Sequence, residues 1–243
     1  MELRFLGTGA ADWHGKDERG EERAFTSTLF DGKLLIDATE TVLDAIPDTV
    51  TDVLFTHSHD DHFSREVLEK IAPVTAYIHT SWAYKAQGIE GVTVVPFEFD
   101  QPFTAAGYTV TAMPGNHLID EDWNEKTAHF LLQKDGKTLL YATDGGWFTM
   151  QEWDMIRRQP LDAAIFDATI GDEHDGDSRI FGHNSLKMIR YMLLTMHQSN
   201  VLPENAPVYL THLARTLHPT QKELEKRLKG EFIVCYDGMT ATI

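Results

Sequence analysis

The chain has 243 residues, 42% hydrophobic and 24% charged, a balance that excludes a disordered polymer and provides for a large buried core. With 21 Lys and Arg against 38 Asp and Glu, the formal charge is −17, which makes a long nucleic acid an unlikely partner because the field repels its phosphates. One cysteine, Cys235, permits no intramolecular disulfide, and no apolar run nears the ~20 residues of a membrane span. Met1–Leu6 reads as a strand rather than a signal peptide, so a cytoplasmic protein without membrane contact is expected.

No repeat, linker or low-complexity stretch divides the chain, so a single domain over 1–243 is expected. Apolar runs predict strands at Leu3–Leu6, Leu34–Asp37, Val53–Thr56, Val74–His79, Val92–Phe97 and Tyr108–Met113. Further runs follow at His129–Gln133, Thr138–Thr143, Ala163–Asp167, Val208–Thr211 and Phe232–Tyr236. Helical spacing follows an N-cap at Ser64, with Val67, Leu68 and Ile71 on one face. It returns over Ser185–His197 through Leu186, Ile189, Leu193 and Met196, and again after the capping box Thr220-Gln221-Lys222-Glu223, with Leu224 and Leu228 buried. Strand runs come in adjacent pairs before helices, which favours an α/β fold of two sheets with helices outside.

Histidine, with 12 copies, is the unusual residue. Thr56-His57-Ser58-His59-Asp60-Asp61-His62 sets three imidazoles and two neighbouring carboxylates in one turn after a predicted strand. Such donors suit zinc, manganese or iron, and so many at one strand end would feed two adjacent ions. By contrast, Gly7-Thr8-Gly9 is not a dinucleotide loop, because G-x-G-x-x-G would need glycine where Asp12 stands.

His57-x-His59-x-Asp61-His62 resembles the H-x-H-x-D-H signature of the metallo-β-lactamase fold hydrolases. The resemblance implies a four-layer αβ/βα sandwich of two mixed sheets with outer helices. It implies His57, His59 and His117 as ligands of a first divalent metal, Asp61, His62 and His212 as ligands of a second, and Asp144 as the bridge. The metals would be zinc or manganese, with iron also compatible. One departure stands out: glycine often follows the signature, and here Phe63-Ser64-Arg65 take that place, which bears on the turn that follows.

Leu6-Gly7-Thr8-Gly9 resembles the opening of the phosphodiesterase branch, which includes ribonuclease Z and the cyclic-phosphate phosphodiesterases of phosphonate breakdown. Leu34-Leu35-Ile36-Asp37 matches the family's second strand, with Asp37 as a buried strut near the metals. Phe166-Asp167-Ala168-Thr169 and Phe181-Gly182-His183-Asn184-Ser185 resemble the branch's paired acidic-Ala-Thr and Gly-His-x-Ser/Thr motifs. The resemblance implies catalysis by His183, Asp167 and Asp61, with His183 protonating the leaving alkoxide while Asp167 holds it. Asp167 stands where ribonuclease Z carries Glu, so a shorter or rerouted contact is expected.

The expected activity is hydrolysis of a small cyclic or nucleotide-like phosphodiester by a metal-bridging hydroxide. No Gly-rich basic arm of the ribonuclease Z type is present in the sequence. The alternative keeps the metals and changes the bond to a lactone, thioester or amide. Oxygen reduction at a di-iron site would call for an attached flavin domain, and a silent binding module would not need a complete ligand set. A homodimer is implied by the resemblance alone. Outside the motifs, His14 and His218 are expected near the pocket, and Trp13, Trp147 and Phe148 as an apolar wall for substrate. The acidic stretch Asp172–Asp177 reads as a solvated loop or a cover for the pocket, and His79, His129, His174 and His197 as structural residues.

Overall fold

Strands that run apolar without alternation need two cores, one on each face. The computed structural model describes residues 1–119 and 123–243, and in it such strands feed opposite sides in turn. Leu139 and Tyr141 point into the space between two sheets, while Leu140 and Ala142 face outer helices; Ala163 and Ile165 alternate in the same way with Ala164 and Phe166.

Among the described residues there are two sheets of seven strands. The first holds β1 (Glu2–Gly7), β2 (Ser27–Phe30), β3 (Leu34–Ile36), β4 (Asp52–Leu54), β5 (Val74–His79) and β6 (Val92–Phe97). The second holds β7 (Phe103–Ala105), β8 (Tyr108–Pro114), β9 (Ala128–Lys134), β10 (Lys137–Ala142), β11 (Ala163–Asp167), β12 (Val208–Thr211) and β13 (Ile233–Val234). The last strand, β14 (Thr240–Thr242), returns to the first sheet beside β1. Each sheet is half antiparallel and half parallel, with β3 to β6 parallel in one and β10 to β13 in the other.

Between the sheets pack Phe5, Phe30, Leu54, Tyr108, Phe130 and Tyr141. Helix α1 (Arg65–Ile71) covers the outside of the first sheet, its Val67 and Leu68 lying in one cluster with Val53, Phe55 and Trp82. Helices α2 (Met150–Ile156), α3 (Leu186–Gln198) and α4 (Gln221–Arg227) cover the second. The caps at Ser64 and Thr220 form as the sequence predicts, and Ser185 caps α3 in the same way, each hydroxyl accepting the amide three residues on. Among the described residues no helix is long and apolar enough to cross a membrane.

Three strands and one helix escape the sequence pattern. β7 and β14 are only three residues long. β2 is buried throughout yet half polar, its Ser27 hydroxyl donating to the Asp37 carbonyl at 2.8 Å. α2 hides the carboxylate of Glu152 on its inner face, which breaks the apolar periodicity a helix is read by. Gly7 is required by close approach: a Cβ there would lie 1.9 Å from the Phe25 carbonyl oxygen.

Candidate metal centre

The parallel halves of both sheets end at one edge of the molecule, and the candidate ligands sit on the turns just beyond. The loop after β4 carries His57, His59, Asp61 and His62; His117 follows β8, Asp144 follows β10 and His212 follows β12. Two groups form. The side chains of His57, His59 and His117 converge, with His57 Nε2 3.0 Å and His117 Nε2 3.2 Å from His59 Nδ1. Asp61, His62, Asp144 and His212 make the second.

The second group can be tested for its fit to an ion. His62 Nε2 lies 3.4 Å from both His212 Nε2 and Asp61 Oδ2, and 3.6 Å from Asp144 Oδ2. His212 Nε2 lies 3.4 Å from Asp61 Oδ2 and 3.3 Å from Asp144 Oδ2. Four ligands at ~2.1 Å from zinc stand about 3.4 Å apart along the edges of a tetrahedron, so the residues fit a divalent metal. Asp144 Oδ1 is buried with no hydrogen-bond partner among the described residues, although His183 Nδ1 is 2.8 Å away. Asp144 Oδ2 also lies 3.9 Å from His117 Nε2, within reach of both groups.

Each of four histidines has its other nitrogen tied, which aims the free one at the cluster. Asp37, wholly buried, takes His62 Nδ1 at 2.7 Å, and its carboxylate also accepts the amide and hydroxyl of Thr56 at 2.9 and 2.8 Å. The Thr56 hydroxyl is 3.0 Å from His57 Nδ1, so one carboxylate braces both groups, as the expected strut. His117 Nδ1 donates to the Gly182 carbonyl at 2.9 Å, and His212 Nδ1 meets the Thr169 hydroxyl at 2.8 Å. The turn that lacks the expected glycine closes through the Ala38 amide on the His62 carbonyl, with Phe63 packed edge-on against Phe55.

Charge follows burial and partners. Burial, aided by neighbouring imidazoles, presses His57 well below its ordinary value and His117 down to about 4, which leaves their lone pairs free. Burial opposes charge on His62 too, but Asp61 and Asp37 outweigh it and raise the imidazole. Burial likewise works against ionised Asp61 and Asp144, yet the surrounding histidines hold both well below the carboxylate range.

His183 precedes α3 and lines the cavity over the cluster. Its Nδ1 lies 2.8 Å from Asp167 Oδ2, a direct contact despite the shorter side chain. Burial disfavours its charge, but Asp144 and Asp167 overcome that and raise it well above an ordinary histidine. Asp167 is itself pushed up by burial and by Asp144, while its other oxygen accepts the amide and hydroxyl of Thr169 at 2.7 Å.

Two polar clusters behind the site have no sequence motif. His129 on β9 is buried between Glu152 Oε1 at 2.5 Å and the Asp144 carbonyl at 3.0 Å. Both neighbours are acceptors, so His129 donates from both nitrogens and is raised as an imidazolium, burial notwithstanding. Gly145 lies so close that a Cβ there would come 2.6 Å from His129 Nε2. On the other flank Glu125 accepts the Ser58 amide and hydroxyl at 3.0 and 2.8 Å and pairs with Lys85 at 2.6 Å, pinning the His57–His59 turn. The signal available beforehand was only a lone histidine and two ordinary glutamates.

Residues 33–212 match the model of the beta-lactamase superfamily domain. The chain belongs to that family. Among solved structures of this superfamily's fold, the metallo-beta-lactamase fold protein YhfI from Bacillus subtilis is similar over 99% of this chain and 98% of its own, with TM-score 0.75 and 17% identity. A diphosphatase from the PhnP family is similar over 100% and 97%, with TM-score 0.73 and 18% identity. A UPF0173 metal-dependent hydrolase of Chelativorans sp. (strain BNC1) is 27% identical over 140 residues, 56% of this chain. The match spans about half of that curated relative, 49% of its length. The superfamily fold is thus the expected sandwich of two mixed sheets with outer helices.

The cavity over the cluster, about 680 Å³, is walled differently from the sequence expectation. Trp13 is buried with its Nε1 donating to the Leu213 carbonyl at 2.7 Å, and His14 is exposed, neither among the cavity's lining residues. The Gly145-Gly146 turn carries Trp147 and Phe148 away to line a separate apolar hollow with Met150 and Trp153. His218 donates to the Ala168 carbonyl at 2.7 Å and lines another small cavity with Asp172, Glu173 and His174. The apolar rim falls instead to Phe181 and Leu118. The first half of the acidic stretch, Asp172, Glu173 and His174, borders that other cavity, and Asp177 caps the turn that brings Phe181 to the rim.

Proposed function

We propose that this chain is a metal-dependent hydrolase that cleaves a small cyclic or nucleotide-like phosphodiester. The observation that carries the reading is His183, tied through Nδ1 to Asp167 at 2.8 Å and set in the cavity wall beside the His/Asp cluster. His57, His59 and His117 would hold one divalent ion, Asp61, His62 and His212 a second, and Asp144 would reach both; zinc and manganese suit these donors. Such ions supply hydroxide at neutral pH and offset charge on the phosphoryl oxygens.

The chain's own residues do the rest. Asp167 fixes the ring of His183 and keeps Nδ1 engaged, leaving Nε2 to pass a proton to the departing oxygen. The Asp144 and Asp167 carboxylates favour the protonated form that this step needs. A carbonyl substrate with a good leaving group would have less use for such a donor. The hydrolase name of the Chelativorans relative and the shared fold of the PhnP-family diphosphatase support the reading. With a formal charge of −17, a small substrate is favoured over a long polyanion.

The test is hydrolysis of bis(p-nitrophenyl) phosphate by protein loaded with manganese or zinc, beside a chelated control. Metal-dependent turnover is expected. Two ions bound without turnover would move the reading to lactones and thioesters.

A further inference from the structure

The wall facing the histidines is a single 3-10 turn, Ser178–Phe181, that runs straight into Gly182 and His183. It is held at both ends. Asp177 accepts the Arg179 amide at 2.9 Å, and the His183 amide donates back to the Arg179 carbonyl at 2.9 Å. The next carbonyl, Gly182, is the one that orients His117. The turn is thus fixed relative to the reacting centre, as a recognition element must be.

Two of its side chains give the rim its chemistry. Phe181 is 85% exposed, a large ring left in water at the mouth of the cavity, two residues from the proposed proton donor. Arg179 bonds Asp177 through Nε and Nη2 at 2.8 and 2.9 Å, while its Nη1 stands 3.6 Å from Asp12, too far for a hydrogen bond. Two carboxylates therefore offset one guanidinium. This corner offers an N–H donor without net positive charge, so it suits an uncharged acceptor such as a ring carbonyl or ring nitrogen better than a second phosphate. Ala10 and Ala11, both small, line the cavity as well.

We propose that Phe181 and Arg179 form a subsite for a nucleobase: a planar, uncharged heteroaromatic group that stacks on the Phe181 ring and accepts a hydrogen bond from Arg179. The proposal rests on the phosphodiesterase reading and narrows it to nucleoside esters. A cavity of about 680 Å³ lies within the ~300–1,000 Å³ range of small-molecule sites.

The experiment compares 2′,3′-cyclic AMP with glycerol 1,2-cyclic phosphate, the same five-membered ester without a base, on metal-loaded wild type and Phe181→Ala. Stacking on an aromatic side chain predicts that Phe181→Ala raises KM for the nucleotide about 10- to 100-fold more than for the base-free ester. Phe181→Trp should restore the preference. Equal changes for both esters, or none for the nucleotide, would overturn the subsite. If wild type turns over neither ester, the phosphodiesterase reading fails, and calorimetry then judges the subsite separately. AMP should bind at least about 10-fold tighter than ribose 5-phosphate to wild type and lose that margin in Phe181→Ala; equal binding to wild type overturns it.

Discussion

The imidazole group and the mixed group approach at Asp144, which belongs to the second and lies 3.9 Å from His117 of the first, and they are otherwise opposites. His57, His59 and His117 are three imidazoles, two of them half-buried, and burial presses His57 and His117 toward neutrality. Asp61, His62, Asp144 and His212 are all buried and combine two carboxylates with two imidazoles, among which Asp61 and His62 favour each other's charged form. Neutral donors leave a dication's charge to the solvent, whereas carboxylates in a low dielectric cancel it. The mixed group should therefore fill first and release its ion last, with the imidazole group as the weaker, more exposed partner.

Removing Asp144, the residue proposed to reach both ions, should have the largest effect. Asp144→Ala is expected to lower turnover of bis(p-nitrophenyl) phosphate by more than about 10³-fold and to reduce bound metal per chain, read by elemental analysis. An undiminished metal content would place the bridge elsewhere. His183→Ala should cost about 10²–10⁴-fold on alkyl phosphodiesters and far less on nitrophenyl esters, whose leaving group needs no proton. Matching losses on both would rule out the acid role.

The support behind Asp144 gives the next effect. Glu152→Ala strands a buried imidazole and should destabilise the fold by about 3–5 kcal/mol in denaturant unfolding near neutral pH. Because His129 is raised in the folded state, the wild-type advantage is complete below its unfolded value near ~6.5 and fades as pH rises through the folded value. The gap between variant and wild type should shrink toward alkaline pH, and a gap that widened there would contradict a charged His129.

Asp37→Asn should weaken the ion in the mixed group about 10- to 100-fold, and the imidazole group less, because only His62 bonds Asp37 directly. Calorimetric titration resolves the two. The smallest effect is a proton count. His62 is raised, so loading the mixed group at pH 7 should release about one proton, whereas His57 and His117 are already neutral and should release none. Titrations in buffers of different ionisation enthalpy measure this, and equal release from both groups would erase the distinction.

Trp147 and Phe181 show where reading from sequence neighbours succeeds and fails. Trp147 stands three residues from Asp144, yet the two glycines between them turn the chain and deliver the ring to the hollow beside α2. Phe181 reaches the rim because Asp177 caps a turn that no apolar pattern announces. His129 and Glu152 were equally silent. One lies in a buried strand and the other on a short helix, and they meet only because that helix packs over the sheet.

What the sequence determined by itself was the chemistry packed into one turn. His57, His59, Asp61 and His62 lie within six residues, so local chain geometry alone forces their donors together. The longer strands, the helix caps at Ser64 and Thr220 and the Asp37 strut were also legible, each from residues whose partners are near or whose role needs one side chain. Only the tertiary structure decided the rest. His62 and His212 are 150 residues apart in the chain and 3.4 Å apart in space, which requires both sheets to be paired and facing each other. The same long-range packing chose Phe181 over Trp147 for the rim, because exposure and direction belong to the assembled surface and leave no local mark on the chain.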